Sequence, residues 1–464
     1  RKLAQRYANE EWIGGYDILN EPNWSFTAGG NQNGCTETSN APLRALYVAI
    51  TNAIREVDQN HMIIIEGNCW GNNYNNMFPK WDGNMTASFH KYWSNNDTGA
   101  IQGIMNIRDQ QNMPIWLGES GENSNAWFTS AISLVESNHI GWAWWPMKKV
   151  GSVVNPLTVV KNSGYNTLLN YWKNGGTKPS VDFAKAALME LAENLKIENN
   201  IYRKDVVDAM IRQVKTPAAT LPFASNTVPG VIQLSDFDLG RIGKAYFDLD
   251  SGTFHVSNGG TYTAWNQGWT YRNDAVDLEV SNDLDPNSNG VNIGWTQTGE
   301  WTQYTLDVDS SAAYTIRLRY GSGSSTSKVK LRVNGSALTG DVSLPSTGGS
   351  KVWADVLLQD IILYRGINKL QFFFVNGGAN VGFLKFELSK KLQEVVCKAI
   401  EAETATAGSN VLISLNKAVL ATTVTTAEAF TATVNGVLVG ITTATVDAEH
   451  PQRLMLTIDQ ELTN

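Results

Sequence analysis

Over residues 1–165, short apolar runs of β character alternate with amphipathic runs of helical period. This is the pattern of a parallel sheet wrapped by helices. The strand candidates are 13–19, 61–65, 87–90, 114–117 and 140–144, and the helical runs between them are 43–57, 99–110 and 126–137. Each pair reads as a βα unit. Five units are too few to close an eight-stranded barrel, and the chain opens inside a helix-like run, 1–8. The expectation is therefore a (β/α)8 TIM barrel lacking its first three βα units. A further helical run carries Phe183, Ala187, Leu188, Leu191 and Leu195, and another reaches about residue 214; both are expected to pad the outside of the barrel.

Over 216–228 the composition shifts to Pro, Ala, Thr and Ser, which reads as a linker. Beyond it the helical period disappears. Residues 229–390 offer short alternating strands at 299–308, 314–320, 328–333 and 369–375, separated by Gly, Asn and Ser turns, an antiparallel β-sandwich. From 391 to 464 further short β runs, 411–415 and 430–434, with Asn435-Gly436 as a hairpin turn, suggest a small immunoglobulin-like sandwich acting as a spacer.

Composition narrows the function. A net charge of −8 without a run of Lys or Arg leaves nothing to neutralise a phosphate backbone, so nucleic acid is not an expected partner. No stretch is long and apolar enough to span a membrane. The 16 tryptophans suggest indoles stacked on sugar rings, with core packing as the alternative use for many of them. Cys35, Cys69 and Cys397 show no CxxC spacing. Cys35 and Cys69 would meet if their loops share one rim, or stand as two free thiols.

Two segments carry chemistry. In Ile-Gly-Gly-Tyr-Asp-Ile-Leu-Asn-Glu-Pro-Asn an apolar strand ends at Glu21, and in Pro-Ile-Trp-Leu-Gly-Glu-Ser another ends at Glu119. A parallel barrel places its active site at the carboxyl ends of its strands, so both carboxylates should face one pocket. Glycoside hydrolysis needs such a pair, one to protonate the leaving oxygen and one to attack or to activate water. The rivals are Glu122, read as a helix cap or substrate contact; Glu66, at the end of the next strand; and Asp17, expected in a structural ion pair. Asn68, Trp70, Asn72 and Asn73 form a polar and aromatic loop suited to a neighbouring subsite.

In order and spacing, Asn20-Glu21-Pro22, His90-Lys91-Tyr92, Gly118-Glu119-Ser120 and Gly141-Trp142-Ala143-Trp144-Trp145 resemble the fourth, sixth, seventh and eighth strands of glycoside hydrolase family 5. The resemblance covers about residues 1–215. It implies that Glu21 is the general acid/base and Glu119 the nucleophile of a retaining reaction. It also implies that Asn20 binds the sugar 2-hydroxyl, Tyr92 donates to Glu119, His90 orders the site, and Trp145 or else Trp144 is the stacking platform; Trp70 would add a subsite. An arginine and a histidine that the family carries on its early strands have no counterpart here. No cofactor is expected for catalysis.

Ser235-Asp236-Phe237-Asp238, Gly268-Trp269-Thr270-Tyr271-Arg272, Thr298-Gly299-Glu300-Trp301, Thr347-Gly348-Gly349 with Trp353, and Gly378-Ala379-Asn380 resemble carbohydrate-binding module family 6 over about 229–390. The resemblance implies a jelly roll that clamps a sugar between Tyr271 and Trp353, with Asn380 as hydrogen-bonding partner. A structural calcium is common in such modules, but Gln233 and Ser235 stand where acidic residues are usual. The joint expectation is an extracellular endo-β-1,4-glucanase acting on a β-glucan or related cell-wall polysaccharide. The alternatives are a β-mannanase, a xyloglucanase or another β-glucanase, and, from another class, a non-catalytic polysaccharide-binding protein with a degenerate barrel.

Overall fold

A computed structural model describes residues 1–249, 265–391 and most of 399–461. The predicted βα units fold into a five-stranded parallel sheet, β1 (Gly15–Asp17), β2 (Met62–Glu66), β3 (Met85–Lys91), β4 (Ile115–Ser120) and β5 (Gly141–Trp142), paired in sequence order. Every residue of β3 is buried, as a parallel strand covered on both faces should be. The crossover helix Ala41–Arg55 buries Leu43, Tyr47, Thr51 and Ile54, one stripe of helical period laid on the sheet. Helix Asn125–Ser137 starts where Ser124 accepts the amide of Trp127, an N-cap. Ile63, Ile65, Ala87, Phe89, Ile115 and Leu117 pack with Leu43, Tyr47, Ile104 and Met105 in one core, where a fully buried aliphatic or aromatic side chain contributes roughly 1.5–3 kcal/mol. Among the described residues β1 pairs only with β2 and β5 only with β4, so the sheet is an open barrel segment.

The helices that were expected to pad the barrel divide. Lys204–Met210 does so, burying Val206 and Met210 against Trp127 and Phe128. Val181–Asn194 instead buries only Ala187, against helix Ser163–Asn174, and leaves Phe183, Leu188 and Met189 exposed.

The β-sandwich appears as read. One sheet runs Leu278–Val280, Val291–Ile293, Ala379–Lys391, Ala312–Ser322, Gly349–Leu363; the other runs Tyr246–Phe247, Trp301–Val308, Gly366–Asn376, Lys328–Val333, Ser336–Ala337. Along Trp301–Val308 the alternate residues Thr302, Tyr304, Leu306 and Val308 face the core, the two-residue period that the sequence displays. The stretch 216–228 holds more order than its composition suggests. Leu221 bridges to Leu239, and Asn226–Val228 is a strand parallel to Trp301–Val308.

Barrel segment and sandwich form one compact unit, Arg1–Lys391, across a buried polar seam. The Asn125 amide donates to Asp205 and Asp274, both at 3.0 Å. Asn273 donates its backbone N–H to Asp205 at 2.7 Å and its side chain to the Asn123 carbonyl at 2.8 Å. Arg203 donates to the Tyr271 carbonyl at 2.8 Å. The second unit, Leu392–Asn464, contains an antiparallel sheet ordered Ala399–Thr404, Asn410–Leu415, Arg453–Ile458, Ile441–Val446, and a separate pair, Ala432–Val434 with Val437–Val439. Asn435 of the predicted hairpin turn and Cys397 lie outside the described residues. The immunoglobulin-like reading stays an expectation.

Candidate active site

The carboxyl ends of the parallel strands bring the predicted residues together. Glu21 follows β1 with φ of +47°, and its backbone N–H is held by Glu66 Oε2 at 2.6 Å. Glu119 lies near the end of β4 and accepts the Tyr92 hydroxyl at 2.7 Å. Between them His90, at the end of β3, directs Nδ1 to Glu21 Oε1 at 2.7 Å, with Glu119 Oε1 3.8 Å away, and Nε2 to Glu66 Oε1 at 3.2 Å. A carboxylate oxygen of Glu21 thus lies within 4.8 Å of one of Glu119.

Burial alone would lower the His90 pKa, but hydrogen bonds to Glu66 and Glu21 and the charges of Glu66 and Glu119 outweigh it and raise it to about 9. At neutral pH the imidazole is a cation that donates from Nδ1 to Glu21 and lies in ion-pair contact with Glu66 through Nε2. Burial and the adjacent Glu119 push the Tyr92 phenol far up, so it stays a hydrogen-bond donor. The arrangement suits acid/base and nucleophilic chemistry at a carbon between the two carboxylates.

Residues 1–151 match the family model for cellulase (glycosyl hydrolase family 5), and residues 267–390 match that for carbohydrate binding module (family 6). The chain joins a glycoside hydrolase domain to a carbohydrate-binding module. Solved structures similar to it include a family 6 module of the Cellvibrio mixtus lichenase 5A in complex with cellotriose, at 22% identity over 25% of this chain and 87% of that one, TM-score 0.23. Others are a β-1,3-glucan-binding family 6 module from Bacillus halodurans (20%, 35% and 99%, 0.25) and the C-terminal family 6 module of the laminarinase LamC from Zobellia galactanivorans (25%, 21% and 79%, 0.20).

In the hydrolase domain a cleft of about 810 Å³ is lined by Glu21, Glu119, His90, Tyr92, Trp70 and Trp145, together with Asn72, Trp93 and Glu122. Trp145 is half exposed and lines the cleft, whereas Trp144 packs edge-on against Phe128 and Trp142. Asn20 is solvent-exposed and does not line the cleft. Asn68 and Asn73 are buried hydrogen-bonding residues of the loop, and a disulfide joins Cys35 to Cys69 beside them, so those cysteines are not free thiols. Glu122 is not the helix cap, a place taken by Ser124; it pairs with Lys149 at 2.8 Å on the cleft rim. Lys91 is drawn away from the cleft chemistry by four hydrogen bonds to Ser94, Asn95 and Asn96.

Two acidic residues differ from expectation. Glu66, fully buried, is the residue that sequence reasoning passed over: it orients both His90 and the Glu21 backbone. Its signal was available, since it ends an apolar strand as Glu21 and Glu119 do. Asp17 makes no ion pair among the described contacts. Crowding by protein atoms and the neighbouring Glu66 carboxylate raise its pKa to about 7.

In the module, Trp353 and Asn380 lie on strands that flank Gly321 from either side. Trp353 donates to the Ser281 carbonyl at 3.2 Å, and Asn380 to Glu279 at 2.6 Å. Tyr271 does not join them. Its hydroxyl donates to Asp236, its ring packs on Phe223, and its carbonyl accepts from Arg203, all on the side facing the hydrolase domain. The exposed aromatic beside Asn380 is Trp295: Gly294, just before it, lies against Glu279 and Asn380, and the indole is half exposed at φ of +47°. Gln233 donates to the Asn287 carbonyl, and Ser235 accepts from Asn289. These neutral groups satisfy one another and offer no carboxylate, a poor fit for calcium.

Proposed function

We propose that this protein is a retaining, endo-acting β-1,4-glucanase, exported from the cell, whose module binds the same polysaccharide. The observation that carries the reading is that Glu21 and Glu119 face each other in one cleft with an oxygen of each within 4.8 Å, a proximity that favours direct attack by one of them over activation of an intervening water. Glu119 attacks the anomeric carbon while Glu21 gives its proton to the departing glycosidic oxygen, and the C–O bond breaks as the glycosyl-enzyme bond forms. Glu21 then takes a proton from water, which displaces Glu119 with a second inversion. Tyr92 occupies one oxygen of Glu119 and leaves the other to attack; His90 occupies Oε1 of Glu21 and leaves the other oxygen to carry the proton. A sugar stacks on Trp145. We further infer that the working enzyme closes the open edges of β1 and β5 with three more βα units, since a site must be held to about half an ångström. In the module, Trp295 and Trp353 would stack on the ligand, with Asn380 and Glu279 binding its hydroxyls.

Reducing-sugar release from carboxymethylcellulose, glucomannan, lichenan and xylan by the enzyme completed with those three units tests the substrate, with carboxymethylcellulose or lichenan expected to be cut fastest. Fastest release from glucomannan would make it a mannanase, and none from any of the four would favour a binding protein. Azide assigns the roles. With an activated aryl glycoside, Glu21→Ala should yield the sugar azide of retained configuration, and Glu119→Ala only the inverted one; the opposite result exchanges acid/base and nucleophile.

A further inference from the structure

The catalytic cleft continues beyond the hydrolase domain. A second groove of about 330 Å³ shares Trp93 and Glu122 with the first. Its far wall comes from the module, where half-exposed Trp269 leans on buried Trp265 with ring centroids 4.7 Å apart. Lys149, paired with Glu122 at 2.8 Å, adds a charged edge.

We propose that this groove is a distal glycan subsite of the active site, in which Trp269 of the module and Trp93 of the hydrolase domain hold sugar rings of the chain being cut between Glu21 and Glu119. The inference rests on the β-glucan reading above. Indole faces beside an ion pair rich in hydrogen-bonding capacity match a sugar, whose ring faces are apolar and whose equatorial rim carries hydroxyls.

The two walls are fixed to each other. Asn273, four residues after Trp269, accepts from Trp265 Nε1 at 3.1 Å and donates to the Asn123 carbonyl at 2.8 Å; Asn123 directly follows Glu122. The loop bearing Trp269 and the loop bearing Glu122 are therefore pinned through one buried amide, and a ligand across them meets a preformed surface.

Backbone conformation marks the same path. Trp93, Glu122 and Trp269 hold φ of +38°, +52° and +48°, as Glu21 and Trp70 in the catalytic cleft hold +47° and +55°. Left-handed backbone is disfavoured for a side-chain-bearing residue, and such strain collects at ligand sites. Five residues so placed line one continuous path. A solely structural Trp269 would instead serve as a cover for Trp265.

The test is titration calorimetry of cellotriose and cellohexaose on the full-length protein carrying Glu119→Ala, to prevent turnover, and Trp353→Ala, to silence the module's other ligand site. Cellohexaose should bind about tenfold or more tightly than cellotriose. Adding Trp269→Ala should remove that advantage and leave cellotriose affinity unchanged, while Trp269→Phe should keep most of it. Trp93→Ala, on the opposite wall, should also shrink the advantage of cellohexaose over cellotriose, whatever it does to cellotriose in the catalytic cleft that Trp93 lines as well, and serves if Trp269→Ala fails to fold. An undiminished cellohexaose advantage in folded Trp269→Ala or Trp93→Ala would overturn the subsite alone. A parent protein that binds both oligosaccharides equally would do the same. A parent that binds neither would overturn the β-glucan reading and the subsite with it.

Discussion

The His90 imidazole is the pivot of the side-chain chemistry, because it is the one group in contact with Glu21, Glu66 and Glu119 together. Its pKa of about 9 lies above the usual histidine value, so its charge stabilises the folded site below about pH 6.5 and that stabilisation is lost as pH rises through 9. Glu66→Gln should lower this pKa, since it removes a charge and leaves the burial. The imidazole NMR titration should then move to lower pH. A titration that stays in place would mean that Glu66 only packs. Glu21, Glu119 and Tyr92 were legible in the sequence because each stands at or just past a strand end in a specific motif. Glu66 stands equally in view but belongs to no motif, and the ion pair expected of Asp17 is missing because the ionisable side chain it meets on the adjacent strand is another acid, Glu66.

Sheet elements were legible because their periods are short-range. β1 to β5, the crossover helices and four sandwich strands, Trp301–Val308, Ala312–Ser322, Lys328–Val333 and Gly366–Asn376, fall within a few residues of the positions that apolar spacing predicts, whereas the long strands Gly349–Leu363 and Ala379–Lys391 went unread. Side-chain partners between strands are set by register, which hydrophobic pattern alone does not number. That is why Tyr271 was placed in the clamp and Trp295 overlooked. Tyr271 belongs to a loop turned towards the hydrolase domain, whereas Trp295 follows Ile293, whose partner is Val381 beside Asn380. Trp295→Ala should weaken oligosaccharide binding by the module by on the order of 1–3 kcal/mol, by analogy with the loss of one aromatic face from a base-stacking site. Tyr271→Phe should leave that binding unchanged and lower thermal stability, because Asp236 loses its donor. Calorimetric titration and thermal melts of both variants separate the two roles; a binding loss with Tyr271→Phe would restore it to the clamp.

Across the whole molecule, the main departure from the sequence reading is the seam between hydrolase domain and module. A Pro/Ala/Thr/Ser stretch reads as a linker, and domains joined by linkers are expected to move independently. Nothing local announces that Asn123, Asn125, Asp205, Asn273 and Asp274 meet, since they are ordinary polar residues up to about 150 positions apart. The seam is nonetheless buried: Asp205 is 2% exposed and accepts from both Asn125 and Asn273. Arg272, fully buried, pairs with Asp274 at 2.8 Å and lies over the rings of Phe237 and Phe223. Burial, with Asp205 nearby, raises the Asp274 pKa to about 6 against the pull of Arg272. A raised carboxyl contributes most below its unfolded value near 4, so this part of the seam weakens as pH rises through 6. Asp205→Ala leaves two buried donors without an acceptor, at about 1–3 kcal/mol each, partly offset by relief of the like charge on Asp274. Residues 1–391 should therefore unfold as one calorimetric transition in the parent at pH 7. In Asp205→Ala the midpoint should drop by a few degrees and resolve into two transitions, as hydrolase domain and module lose their coupling. A single, unshifted transition in the variant would mean that the seam does not hold the two together. Were the groove at Trp269 a part of the active site, the same variant would also lose its preference for long oligosaccharides without any change to an aromatic residue.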